Sequence, residues 1–268
     1  MKSLTHNTIL ITGAGGGFGQ EMVRQLWREG AHLILTDVAG SDLPAKIAAL
    51  TDTLGDGPGR VLGQFEADLT SPDGCETVYA NTLSLTPHLD ILINNAGIAQ
   101  FGFFQNVPAD RWEKLLQLNL WAPMRLTAHF LPDMLARGSG HIVNVCSMAG
   151  VVPTAGLAAY SAAKSGLRAF NEALSEEVRP RGVAVTAIFP FFARTPILDS
   201  ESFGRKPNLP DSVLYDPAFV VAELVKGIRR EKLEIFPGLI PRQVSLVRRL
   251  APATLPYLTR WILRSGAR

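Results

Sequence analysis

Cysteine is scarce in this chain: its 268 residues include only Cys75 and Cys146. That excludes a disulfide framework as the organising device and makes a reducing, cytoplasmic setting the expectation. No group of histidines and cysteines has metal-ligand spacing and the five histidines are scattered, so no metal centre is expected. Excess charge is lacking too. A net charge of +2 gives no general reason to expect nucleic acid as a partner. There is no run of about 18 uncharged apolar residues, which removes the case for a membrane-spanning helix. The opening stretch MKSLTHNTILITGAG lacks a signal-peptide layout and runs straight into a strand-like segment. The length suits one large α/β domain or two small ones, and 47% hydrophobic with 19% charged residues reads as globular and well cored.

What is present is an alternation. Thr8–Thr12, His32–Asp37, Arg60–Phe65, Asp90–Asn94, His141–Cys146 and Val183–Phe189 are short runs rich in Ile, Val and Leu. Their apolar residues are continuous rather than alternating, the pattern of strands covered on both faces. Helix-length stretches lie between them, among them Gly17–Glu29, Pro108–Ala136 and Leu157–Val178. This rhythm implies parallel strands joined by helical crossovers. Residues 195–215 are rich in Pro, Ser and Asp and read as a mobile loop late in the domain.

The stretch TGAGGGFG, Thr12–Gly19, does not contain G-x-G-x-x-G, because Phe18 and Gln20 stand where glycine would be required. It nevertheless follows the first strand and opens the first helix. A helix N-terminus offers free N–H groups and a positive dipole end to phosphate, and small residues let backbone approach it. The spacing that fits is T-G-x-x-x-G-x-G, carried by Thr12, Gly13, Gly17 and Gly19. Asp37 closes the second strand, where a carboxylate would accept from the ribose hydroxyls of NAD and repel a 2′-phosphate. With Gly16 and Val38 at the positions where a cation would reverse that preference, NAD is expected over NADP.

In YSAAK, Tyr160 and Lys164 are four residues apart and so share a helix face. A free tyrosine has a pKa of about 10, and a lysine cation beside it favours the phenolate. Ser147 directly follows the HIVNVC strand, where a hydroxyl can hold a substrate oxygen.

Taken together, TGAGGGFG, Asp37, ADL at Ala67–Leu69, NNAG at Asn94–Gly97, Asn119 in LNLWAP, Ser147 in NVCSMAG and YSAAK resemble the short-chain dehydrogenase/reductase family over roughly residues 5–196. The resemblance implies a Rossmann-type, doubly wound parallel sheet of about seven strands in a single domain. It implies a catalytic tetrad of Asn119, Ser147, Tyr160 and Lys164. Tyr160 would be the general acid/base, Lys164 would lower its pKa and hold the nicotinamide ribose, Ser147 would orient the carbonyl, and Asn119 would hold a relay water. It implies a cofactor set of Thr12, Gly13, Gly17, Phe18, Gly19, Asp37, Asp68, Leu69, Asn95, Ala96, Gly97, Pro190 and Thr195, together with Tyr160 and Lys164. It further implies a homodimer or homotetramer. A non-catalytic NAD-binding regulator on the same fold has little reason to retain the tetrad. One departure stands out: Phe191 follows Pro190 where the family usually has glycine.

By the same resemblance, Phe101, Phe103, Met148, Val151, Phe191 and Phe192 would line the substrate cleft. Their character points to a hydrophobic secondary alcohol or ketone: steroid-like, retinoid-like, aryl or lipid-like. The catalytic domain is expected over residues 1–240, followed by a basic amphipathic helical extension over 241–268. That extension carries six arginines and no acid. Leu255, Leu258, Trp261 and Ile262 share one helix face, and Arg260, Arg264 and Arg268 another. The stripe suits docking on the protein's own body or on a second subunit, with a peripheral membrane contact as the alternative.

Overall fold

The computed structural model of the chain describes residues 2–204 and 211–251. The expectations for Leu255, Leu258, Arg260, Trp261, Ile262, Arg264 and Arg268 lie outside the described residues. The chain runs β1 (Thr8–Thr12), α1 (Gly17–Arg28), β2 (His32–Asp37), α2 (Leu43–Leu54), β3 (Arg60–Glu66) and α3 (Pro72–Leu85). It continues through β4 (Ile91–Asn94), β5 (Phe101–Gly102), α4 (Ala109–Leu116), α5 (Ala122–Arg137), β6 (Gly140–Val145) and α6 (Ala158–Val178). It ends with β7 (Val183–Ile188), β8 (Ser202–Phe203), α7 (Pro217–Ile228), β9 (Glu234–Ile235) and α8 (Leu239–Leu250).

Seven strands form one parallel sheet in the order β3-β2-β1-β4-β6-β7-β9. The winding reverses between β1 and β4, and in such sheets the crevice beyond the strand ends at that point is the ligand site. Successive side chains of a strand point to opposite faces, so the apolar runs feed two cores at once. Ile9, Ile11, Leu33 and Leu35 pack with Met22, Val23 and Leu26 of α1, Ile47 of α2 and Val221 of α7. Leu10, Ile34 and Leu92 pack on the other face with Val78 of α3, Phe130 and Met134 of α5 and Leu174 of α6. Helix starts are locally encoded. The Ser71 hydroxyl accepts from the Gly74 N–H at α3, and the Asp216 carboxylate accepts from the Ala218 N–H at α7, each with proline next in the chain.

Two expectations are revised. The single helix read over 108–136 is broken into α4, a π-helical turn at Gln117–Trp121, and α5. A π turn inserts one residue into the helical ladder, and this one carries the fully buried Asn119. Within 195–215, the described residues 195–204 and 211–215 are more structured than their composition suggests. Ser202–Phe203 pairs in parallel with Phe101–Gly102, and Ala193 bridges to Tyr215.

His141 on β6 is buried, with Nε2 2.7 Å from the Thr186 hydroxyl oxygen. That hydroxyl spends its proton on the Lys232 carbonyl, so it accepts from the neutral imidazole N–H. Burial lowers the His141 pKa to about 4. The unfolded chain, with histidine near 6.5, binds more protons between those values, so stability falls as pH drops from about 6.5 toward 4. For this one group the full loss is about 3 kcal/mol. We predict that chemical denaturation across this window shows the wild type losing that much relative to His141→Gln. An unchanged gap between the two would contradict the assignment.

Candidate active site

The crevice at the sheet's switch point is held by a clasp between β1 and the loop after β4. The Thr12 hydroxyl oxygen accepts from the N–H groups of Asn95 and Ala96, both at 3.0 Å. The Asn95 amide in turn donates to the carbonyls of Thr12 at 2.9 Å and Gly13 at 3.0 Å. Gly13 has φ +65°, and a Cβ there would lie 2.8 Å from Ala96 Cα. Glycine is thus required both by backbone conformation and by the close approach. At Gly19 a Cβ would lie 2.1 Å from the Gly13 carbonyl oxygen, so the first turn of α1 can sit directly on the loop only without one.

Beyond the clasp lies a cavity of ≈ 1040 Å³ that runs from Asp37 past Gly13, Gly16, Gly17 and Phe18 to Ser147, Tyr160 and Lys164. Asp68, Leu69, Asn95, Ala96, Gly97, Pro190 and Thr195 line it as well. Its residues fit a dinucleotide. α1 starts at the cavity with no capping side chain and no acid in its first turn, leaving an N-terminus suited to phosphate. Asp37 accepts from the Gly15 N–H at 2.8 Å, which holds its carboxylate against the loop. The Asp68 pKa is lowered from the ordinary carboxylate value because the Thr70 backbone N–H and hydroxyl both donate to it. One expectation needs amending: a lysine does stand near Asp37. A Cβ built on Gly15 would lie 3.0 Å from the Asp37 carboxylate and 3.7 Å from Lys46 Cδ, so α2 brings that lysine's stem to the loop.

Thr12, Gly19 and Asn119 do not line the cavity and act by holding other groups. The Asn119 side chain accepts from the Ile98 N–H at 3.0 Å and donates to the Ile98 carbonyl at 2.7 Å. It therefore braces the loop after β4 beneath the cavity, using one of its two amide hydrogens and its carbonyl oxygen.

Tyr160 and Lys164 lie on successive turns of α6, with Lys164 Nζ 5.8 Å from the Tyr160 ring centroid. Burial pushes the Tyr160 phenol up to about 12, and a hydrogen bond with Ser147 pulls it partly back. The Lys164 amine donates to the Val145 carbonyl at 2.8 Å. Burial lowers the Lys164 amine to about 8. The cluster thus holds a protonated phenol beside a hydroxyl, with a desolvated amine behind it.

At the substrate end the cavity is apolar. Phe101, Phe103, Met148, Phe191 and Phe192 line it as expected. Val151 does not: it is buried beneath the site, packed with Met148, Leu167 and Phe189, and Val152 faces the cavity instead. Phe191 brings no strain, because positive φ among described non-glycine residues is confined to His6, Asp42 and Glu231. Ile240 and Val244 of α8 also line the cavity, so the helix that spans the boundary expected at 240 belongs to the site.

Sequence reasoning missed one support. Asn94 donates to Asn144 at 2.8 Å and Asn144 to Asn171 at 2.9 Å, a buried amide ladder that ties β4 and β6 to α6. Its trace in the sequence is a single asparagine inside each of two apolar strands, DILIN and HIVNVC.

Fold and site together define a doubly wound domain with a phosphate cradle leading to a Ser–Tyr–Lys cluster. The family model for short chain dehydrogenases matches residues 7–205, and the chain belongs to that family of oxidoreductases. It is 33% identical over 234 residues to the oxidoreductase UcpA of Salmonella typhimurium, covering 87% of this chain and 84% of that protein. Among solved structures it is similar to a short-chain dehydrogenase from Sphingobium yanoikuyae in complex with NADPH, at 32% identity and TM-score 0.77 over 90% of this chain and 92% of that one. It is also similar to the bulky-bulky ketone specific alcohol dehydrogenase from Comamonas testosteroni, at 27% identity and TM-score 0.75 over 91% of this chain and 92% of that one.

Thr12→Val keeps the shape at Thr12 but leaves two N–H groups without their acceptor, at a cost of about 1–3 kcal/mol for each one left buried. We expect a lowered melting temperature and weakened binding in an NADH fluorescence titration. Wild-type values for both would show that the clasp does not organise the cradle.

Proposed function

We propose that the protein moves hydride between NAD(H) and the carbinol carbon of a hydrophobic secondary alcohol or ketone. The observation that carries this reading is that Ser147, Tyr160 and Lys164 line the same cavity as Asp37 and a set of phenylalanines. Gly13, Gly17, Phe18, Asp37 and Thr195 would hold the dinucleotide. When bound, a nicotinamide dinucleotide supplies or accepts the hydride.

The chain's own residues handle the proton. In the reductive direction the Tyr160 phenol, held protonated by its raised pKa, donates its proton to the ketone oxygen while the Ser147 hydroxyl orients that oxygen. In the oxidative direction Tyr160 takes the alcohol proton, which requires the phenolate. A Lys164 ammonium turned from Val145 toward the phenol would favour it. With its pKa near 8, Lys164 is mostly charged at neutral pH and loses that charge as pH rises.

NAD is favoured over NADP because the Asp37 carboxylate lies in the cavity wall, where a 2′-phosphate would meet like charge. Lys46 is the opposing influence. An apolar substrate suits the lining of Phe101, Phe191 and Phe192, the last two of which pack edge to face at 4.9 Å. The similar Comamonas testosteroni enzyme is specific for bulky-bulky ketones.

A coupled assay decides both points. Long-chain secondary alcohols, steroids and aryl ketones should give higher kcat/KM than polyols or sugars, and NAD(H) should outperform NADP(H). Faster turnover of the polar panel would overturn the substrate reading, and a preference for NADP would overturn the role of Asp37.

A further inference from the structure

No described helix is long and apolar enough to cross a membrane. Yet α8 presents apolar side chains outward. Leu239, Leu246 and Leu250 are 72%, 56% and 73% exposed, and their spacing of seven and four residues puts them on one face. The opposite side is engaged with the body: Val244 packs against the cluster of Met148, Phe189 and Phe191, and with Ile240 it lines the cavity. Arg242 and Arg249 lie along one side of the exposed stripe, Arg242 paired with Glu223 at 2.9 Å, and residues 241–268 carry six arginines and no acid.

The stripe adjoins the cavity mouth. Ile240 and Phe103 both line the cavity and are themselves 41% and 57% exposed, so its rim is apolar on two sides. Solvent-facing leucines beside arginines match a lipid interface, where aliphatic tips enter the acyl boundary and guanidinium groups stay with anionic headgroups.

We propose that the exposed face of α8 docks on the surface of an anionic membrane. The cavity mouth then lies at the bilayer, where an apolar substrate would be concentrated; that consequence rests on the substrate reading above, whereas the docking does not. Charge favours a lipid surface over a second copy of the chain. A symmetric pairing through α8 would set Arg248 and Arg249 against their own counterparts, while the nearby Glu223 carboxylate is already engaged by Arg242 and Lys226.

The test uses the full chain, sedimented with phosphatidylcholine–phosphatidylserine vesicles and with pure phosphatidylcholine vesicles at low and high salt. The protein should pellet with the anionic vesicles at low salt and be released at high salt. The triple variant Leu239→Ser/Leu246→Ser/Leu250→Ser and the double variant Arg248→Gln/Arg249→Gln should each bind roughly tenfold more weakly. Neither variant touches the cavity lining. Should the serine variant fail to fold, as its melting curve would show, the arginine variant decides. Wild-type protein left in the supernatant, or variants that bind like wild type, would overturn the proposal. So would light scattering in which the serine variant splits a wild-type oligomer, since that assigns the face to self-association. Sedimentation needs no turnover, so it stands apart from any failure of the substrate reading.

Discussion

The clasp between Thr12 and Asn95 is the contact on which the site depends. A doubly wound sheet leaves a gap where its winding reverses, between β1 and β4. The strand ends there have no further ladder to pair them, and the loops that leave them run to opposite faces. One hydroxyl and one carboxamide close the gap, satisfying two N–H donors and two carbonyl acceptors. They fix Gly13 against Ala96 and set the height at which α1 begins. The phosphate cradle and the floor of the cavity are consequences of that junction.

The catalytic side is anchored through a second set of amides. Asn119 holds Ile98, and the Asn94–Asn144–Asn171 ladder binds the sheet to α6. Such buried polar groups tolerate little displacement, because each lost partner leaves an unsatisfied group in a dry interior. Tyr160 and Lys164 are therefore presented from a helix fixed to the same strands that carry the cradle. The chemistry follows from burial. Desolvation keeps the phenol protonated and weakens the hold of the lysine on its proton, so both groups respond to whatever charge enters the cavity.

Much of this was legible in the sequence, for definite reasons. Runs of Ile, Val and Leu this short and this rich in β-branched residues suit strands buried on both faces, and the position of TGAGGGFG after the first of them marks a helix-opening loop. YSAAK fixed two functional groups on one helix turn whatever surrounds it. What escaped depends on contacts between distant segments. The π turn at Gln117–Trp121 has no local signature, because it is set by the burial of Asn119. Val151 and Val152 are equivalent as sequence, and only the packing of the loop after β6 decides which is core and which is cavity wall. Lys46 follows Asp37 by only nine residues, but it is the docking of α2 that turns its stem back to the loop. The charge pattern after residue 240 was visible, but the part of α8 that faces the cavity was not. The side chains that point inward there, Ile240 and Val244, are no more apolar than the leucines that point out.

The central claim is that Tyr160 carries the proton in a hydride-transfer reaction within this cavity. Its most direct test is Tyr160→Phe, with turnover and NADH binding measured on the same preparation. The account predicts that turnover falls by roughly 100-fold or more while NADH binding stays near the wild-type value. Turnover close to wild type, with the cofactor bound normally, would contradict it.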